Sequence, residues 1–252
     1  MRLARVIAVA GKGGVGKSTL SGLLVLALAE RAGEVVLAVD ADPNSNLGEK
    51  LGIEVERTIG DLREDLLDNA NDIPAGVGKH EHVRYNIRLA LSEGENFDLL
   101  TMGRPEGPGC YCYINNILRT FMDDLVDDYP YVIVDNEAGM EHLSRRTTRR
   151  MDLLALVSDP TKLGIDTASR IRDLAHRMDI EIGRELLLLN RAPEEMPRAL
   201  VETIDSSDFD EVVLIPNDAR VEDLAVLGTP LTALDGSSRA LRAVRRLAAE
   251  LG

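Results

Sequence analysis

Residues Gly11, Lys12, Gly13, Gly14, Val15, Gly16, Lys17, Ser18 and Thr19 place glycines, two lysines and two hydroxyls in one short stretch. Glycines without a Cβ let successive backbone N–H groups turn inward around an anion. An apolar run, Val6–Ala10, precedes the stretch, and a leucine-rich helical pattern, Ser18–Ala32, follows it. Strand, glycine loop and helix in that order are the context of a phosphate-binding loop, and the helix N-terminus adds partial positive charge. The chemistry expected is that of ATP or ADP with Mg²⁺. Lys17 reaches the β- and γ-phosphates, and the Ser18 hydroxyl ligates the metal. Lys12 is a second lysine among the phosphates, and a solvated loop lysine is the plainer alternative.

Three further segments carry matching chemistry. Asp40-Ala41-Asp42-Pro43-Asn44 sets two carboxylates one residue apart at a strand tip. Strand alternation points both to one side, where one can hold the Mg²⁺ water shell and the other can orient an attacking water. Asp-Pro-Asn is also turn chemistry, so a turn or helix cap stands beside that reading. Asp135 ends the apolar run Tyr131–Val134, as a Mg²⁺-water ligand or a helix cap, and Gly139 four residues on can offer its N–H to the γ-phosphate. Residues Asn136–Ser144 are then a candidate switch loop. Base recognition falls to Asn190 and Arg191 and to Pro216 and Asp218, at the ends of two late apolar runs. An asparagine amide pairs with both a donor and an acceptor on adenine, although such residues also punctuate strand ends.

Both cysteines of the chain, Cys110 and Cys112, lie in Gly-Pro-Gly-Cys-Tyr-Cys, just before a helical pattern. A disulfide across one residue closes a strained ring, and two cysteines do not make a disulfide scaffold. Helix N–H groups nearby favour thiolate, which suits Ni²⁺, Zn²⁺ or Cu(I). Two sulfurs leave a coordination shell unfilled. A two-fold dimer that places the pair beside its symmetry mates supplies four.

These residues need elements to hold them. Short apolar runs at Val6–Ala10, Val35–Val39, Asp98–Met102, Tyr131–Asp135, Leu153–Val157, Leu186–Asn190 and Val212–Ile215 read as strands covered on both faces. Helical patterns lie between them at Ser18–Ala32, Asn115–Val126, Glu141–Arg150, Ile165–Met178, Val221–Leu227 and Ser237–Leu251. The alternation implies one α/β domain over residues 1–252, with a doubly wound, mostly parallel sheet of about seven strands and helices on both faces. Residues 52–96 read as an irregular insertion at the sheet edge. A formal charge of −14 argues against nucleic acid and anionic membranes as partners. No signal peptide or membrane-length apolar run is visible, which implies a cytoplasmic protein.

Taken together, the segments resemble the MinD-like branch of ATPases with a deviant Walker A loop, KGGxGK[ST], over Val6 to Leu251. The resemblance implies a Mg²⁺-dependent ATPase. In it, Lys12 crosses a two-fold interface to the partner's nucleotide and Asp42 positions the hydrolytic water. Within that branch, the Gly-Pro-Gly-Cys-Tyr-Cys run with Asn115 and Asn116, and the stretch Asp135 to His142, are similar to the CooC-like family. That family assists nickel insertion into carbon monoxide dehydrogenase. The likeness implies a homodimer carrying nickel, or zinc, on its paired cysteines, with that dehydrogenase as client.

A spatial-organisation ATPase cycling on membrane or DNA is the second reading, and an iron–sulfur reductase the third. The amphipathic stretch Ser238–Leu251 resembles MinD's membrane-targeting helix, but without an aromatic anchor its apolar stripe reads as sheet packing. His80 and His82 read as solvated loop residues, and His142 as a switch sensor or a surface residue. Arg145, Arg146, Arg149 and Arg150 read as an ion-paired helix face.

Overall fold

A computed structural model describes residues 4–68, 78–103, 125–137, 150–178 and 180–251. The strands are β1 (Arg5–Gly11), β2 (Val36–Asp40), β3 (Leu91–Glu93), β4 (Phe97–Thr101), β5 (Tyr131–Asp135), β6 (Arg150–Ser158), β7 (Glu181–Ala192) and β8 (Glu211–Pro216). They form one sheet in the order β3-β4-β2-β5-β1-β6-β7-β8. Every neighbouring pair is parallel except β3 with β4. The central runs expected as strands, in β1, β2, β5 and β6, are strands buried on both sides, so neither face selects polar residues. β3 was not expected. It is a three-residue edge strand, Leu-Ser-Glu, with no apolar run to announce it.

The helices are α1 (Lys17–Ala32), α2 (Leu47–Leu51), α3 (Ile59–Asp68), α4 (Lys79–Leu89), α5 (Lys162–His176), α6 (Arg198–Asp205), α7 (Ala219–Leu227) and α8 (Arg239–Glu250). One face of the sheet packs on α1 and α8, through Ile7, Val9, Leu24, Leu28, Val244 and Leu247. The other face carries α3 and α4 over β2, β4 and β5, and α5 over β6 and β7. Residues 52–96 therefore hold two helices and the edge strand where an irregular stretch was expected. Their polar outer faces hide the helical period. His82 lies on α4 and not in a loop, its carbonyl accepting from Asn86 Nδ2 at 2.8 Å. Arg150, expected at the end of a helix, opens β6 and pairs with Asp152 at 2.9 Å.

The winding positions the site. From β1 the chain moves outward to β2 and β4, returns through β5, and then continues past β1 to β6, β7 and β8. The direction reverses beside β1. Ligands of open α/β sheets bind at such a reversal, beyond the carboxyl ends of the strands.

Candidate nucleotide site

The loop Lys12–Gly16 joins β1 to α1 at that reversal. Gly16 caps α1 with φ 95°, a left-handed conformation. A Cβ there would sit 2.4 Å from Asn190 Nδ2, so the position admits only glycine. The Asn190 amide itself donates to the carbonyl of Val15 at 2.7 Å, and its oxygen accepts from the N–H of Arg191 at 3.0 Å. The residue expected to read adenine thus ties the tip of β7 to the phosphate loop, with one N–H and one lone pair left over. Lys17 is buried, its Nζ 3.4 Å from the carbonyl of Lys12. Lys12, Gly13 and Gly14 are exposed, and Ser18 and Thr19 are half-buried.

Beneath the first turns of α1 lies a buried acidic floor. In the parallel register Asp40 stands beside Thr101 on one side and Asp135 on the other. Alternation along β2, β4 and β5 puts all three on the α1 face, with Val36, Ala38, Phe97, Leu99, Tyr131 and Ile133. Asp40 accepts from the backbone N–H of Asp42 at 3.1 Å and of Leu47 at 2.9 Å. Asp135 Oδ1 accepts from the Ser21 hydroxyl at 3.0 Å. Asp135 Oδ2, Thr101 Oγ1 and Asn136 Oδ1 are buried without a hydrogen-bond partner among the described residues. Burial pushes the Asp40 carboxyl up to about 7; the Leu47 N–H opposes the rise and the Asp135 charge adds to it. Burial likewise raises Asp135, against the Ser18 and Ser21 hydroxyls and the Lys17 cation.

Unpartnered buried oxygens are costly. Two of them, Asp135 Oδ2 and Thr101 Oγ1, stand at strand tips on the α1 face with Asp40 between them, and mark a place built for a charged ligand. A divalent cation suits this donor set: carboxylate oxygens of Asp135 and Asp40 beside the hydroxyl of Ser18 are hard ligands of the kind Mg²⁺ takes through water.

Asp42 departs from the sequence expectation. β2 ends at Asp40, so strand alternation does not carry over to Asp42. It lies half-buried in the following turn, where its Oδ1 accepts from the backbone N–H of Asn44 at 2.9 Å and from the Asn44 amide at 2.8 Å. Asp218 is likewise committed. It caps α7 through the N–H of Arg220 at 3.0 Å. Its other oxygen accepts from the Ser238 hydroxyl at 2.7 Å and the Ala240 N–H at 3.0 Å. Pro216, Asp218, Asn190 and Arg191 nevertheless line one cleft with Gly16 and Thr19, the place a base would occupy beside the loop. Arg191 is exposed, with φ 54°. Ser21 was missed from sequence because a lone serine in a leucine-rich helix gives no local signal. Cys110, Cys112, Asn115, Asn116, Gly139, His142, Arg145, Arg146 and Arg149 lie outside the described residues.

Residues 6–231 match the family described as the CobQ/CobB/MinD/ParA nucleotide binding domain. An uncharacterized ATP-binding protein of Methanocaldococcus jannaschii is 40% identical over 98% of both chains. The carbon monoxide dehydrogenase accessory protein CooC of Rhodospirillum rubrum is 31% identical over 86% of this chain and 85% of its own. The MinD cell division protein of Aquifex aeolicus superposes with a TM-score of 0.71 at 25% identity, covering 98% of this chain and 96% of its own.

Proposed function

The chain belongs to the CobQ/CobB/MinD/ParA nucleotide-binding family, and on that premise we propose that it is a Mg²⁺-dependent ATPase acting as a metal-carrying accessory protein. The observation that carries the ATPase reading is the buried, unpartnered Oδ2 of Asp135 beneath the phosphate loop. Lys17 binds the β- and γ-phosphates, and the N–H groups of Gly13 to Thr19 cradle them. Ser18 and Asp135, with Asp40 behind, hold Mg²⁺, which when bound neutralises charge on the transferring phosphoryl group. Asp42 orients the water once nucleotide draws its turn inward, and Gly139 meets the γ-phosphate. Asn190, Arg191, Pro216 and Asp218 shape the base end. Lys12, exposed on the loop, reaches the nucleotide of a second copy in a homodimer.

The accessory role rests on Cys110 and Cys112 and on the similarity to CooC. In this reading nickel is cargo. Paired thiolates from two copies give a four-sulfur site, which also takes zinc. Carbon monoxide dehydrogenase is the proposed client, and the cytoplasm the proposed compartment. The membrane-cycling alternative gains nothing from α8. Its stripe of Leu241, Val244 and Leu247, with Leu251 beyond it, is buried in the core beside α1. Among the described residues no helix is long and apolar enough to cross a membrane.

The test is nickel and zinc content per protomer in the whole protein and in the Cys110→Ser, Cys112→Ser double variant, alongside ATP turnover with and without Mg²⁺. Metal lost with turnover retained is the expected outcome. Unchanged metal content contradicts the accessory role, and absence of Mg²⁺-dependent turnover in the unaltered protein contradicts the ATPase.

A further inference from the structure

Ser21 lies one turn beyond Ser18 on α1 and is fully buried, as are Leu20, Leu23, Leu24 and Val25 of the same helix. Among the described residues, hydroxyls inside α5 and α6 bond back to the preceding turn. Thr167 donates to the carbonyl of Leu163 at 2.7 Å, Ser169 to that of Ile165 at 3.2 Å, and Thr203 to that of Ala199 at 2.8 Å. That local bond is the default for serine and threonine inside helices. Ser21 instead reaches out of its helix to Asp135 Oδ1 on β5, at 3.0 Å and 114 positions away in sequence. A buried hydroxyl costs free energy unless it is paired, and an alanine at this position would carry no such cost.

Resting on the Mg²⁺-ATP reading, we propose that Ser21 is a positioning residue for the metal. By occupying Asp135 Oδ1 it fixes the carboxylate, so that Oδ2 is the oxygen left for the metal's water shell. Ser18 and Ser21, three residues apart on one helix face, divide the labour. The first meets the metal, and the second holds the carboxylate that shares it. Partners that orient a metal's ligands without touching the metal tune affinity in this way.

The experiment uses the whole protein and reads the Mg²⁺ concentration that half-saturates ATP hydrolysis at saturating ATP. ADP affinity in EDTA and Tm without Mg²⁺ are measured beside it. Ser21→Ala raises the Mg²⁺ requirement about 10- to 100-fold and leaves ADP affinity in EDTA unchanged. Ser21→Cys, close in shape but a weak donor, raises it in the same direction and covers the case in which alanine disturbs folding. Ser21→Thr, which keeps the hydroxyl, returns toward the unaltered value. A lower Tm with an unchanged Mg²⁺ requirement in both Ala and Cys variants overturns the proposal and leaves the ATPase reading intact. An unaltered protein that needs no Mg²⁺ overturns both.

Discussion

Two sets of carboxylates sit at the carboxyl ends of strands in this chain, both buried, and they are treated in opposite ways. Asp218, after β8, accepts from one hydroxyl and from backbone N–H groups opening two helices. Burial alone would raise its pKa, but donation from Ser238, Ala240, Arg220 and Arg239 outweighs it and holds the carboxyl below its usual range. Asp40 and Asp135, the last residues of β2 and β5, are raised by burial; Asp40 accepts two backbone N–H groups, and Asp135 keeps one oxygen without a partner. The contrast separates structural from chemical use of one residue type. A carboxylate whose bonds are complete joins elements, and one left incomplete in the core awaits a ligand.

The largest effect expected on the structural side is Leu247→Ala in α8, the helix whose N-terminus Asp218 secures. Urea unfolding should show a loss of about 2–5 kcal/mol from the cavity, with no change in Mg²⁺ requirement. An unfolding midpoint that does not move would return α8 to the surface. Asp218→Asn comes next, at about 2 kcal/mol for weakened bonds to a charged acceptor. Because the folded pKa of Asp218 is lowered, its contribution is complete above pH ~4 and is lost as pH falls through the lowered value. The gap between variant and unaltered protein should therefore close in acid. If it stays constant with pH, the Asp218 charge is not what the two helices use.

Asp40 reverses that sign. Its pKa is raised to about 7, so its contribution is complete below pH ~4 and is lost as pH rises toward 7. Without Mg²⁺ or nucleotide, chemical denaturation from pH 4.5 to 8 should show stability falling with a steeper slope than in Asp40→Asn. Parallel slopes would erase the distinction between the two sets of carboxylates.

Much of this was legible from residue order. The central strands announce themselves because burial on both faces demands unbroken apolar runs, as at Leu153–Val157 and Leu186–Leu189. The phosphate loop is legible because its chemistry is local, every glycine and lysine falling within nine positions. What stayed hidden depends on distant partners or on polar surfaces. Asn190 was expected at a base, and its bond to Val15, 175 positions away, has no local signal. Asp42 was expected to share a strand face with Asp40, but the strand stops at Asp40 and the turn takes Asp42 for itself. Ser21 has meaning only once β5 lies beneath α1. The helices α3 and α4 were masked by their charged outer faces, and β3 by its brevity.

On this reading the incomplete carboxylate at Asp135 completes a Mg²⁺-nucleotide site. Its most direct test is calorimetric titration of ADP into the whole protein and into Asp135→Asn, each with Mg²⁺ and with EDTA. Mg²⁺ should tighten ADP binding markedly in the unaltered protein, and that gain should vanish in Asp135→Asn while the EDTA affinities stay alike. Equal tightening by Mg²⁺ in both proteins would contradict it.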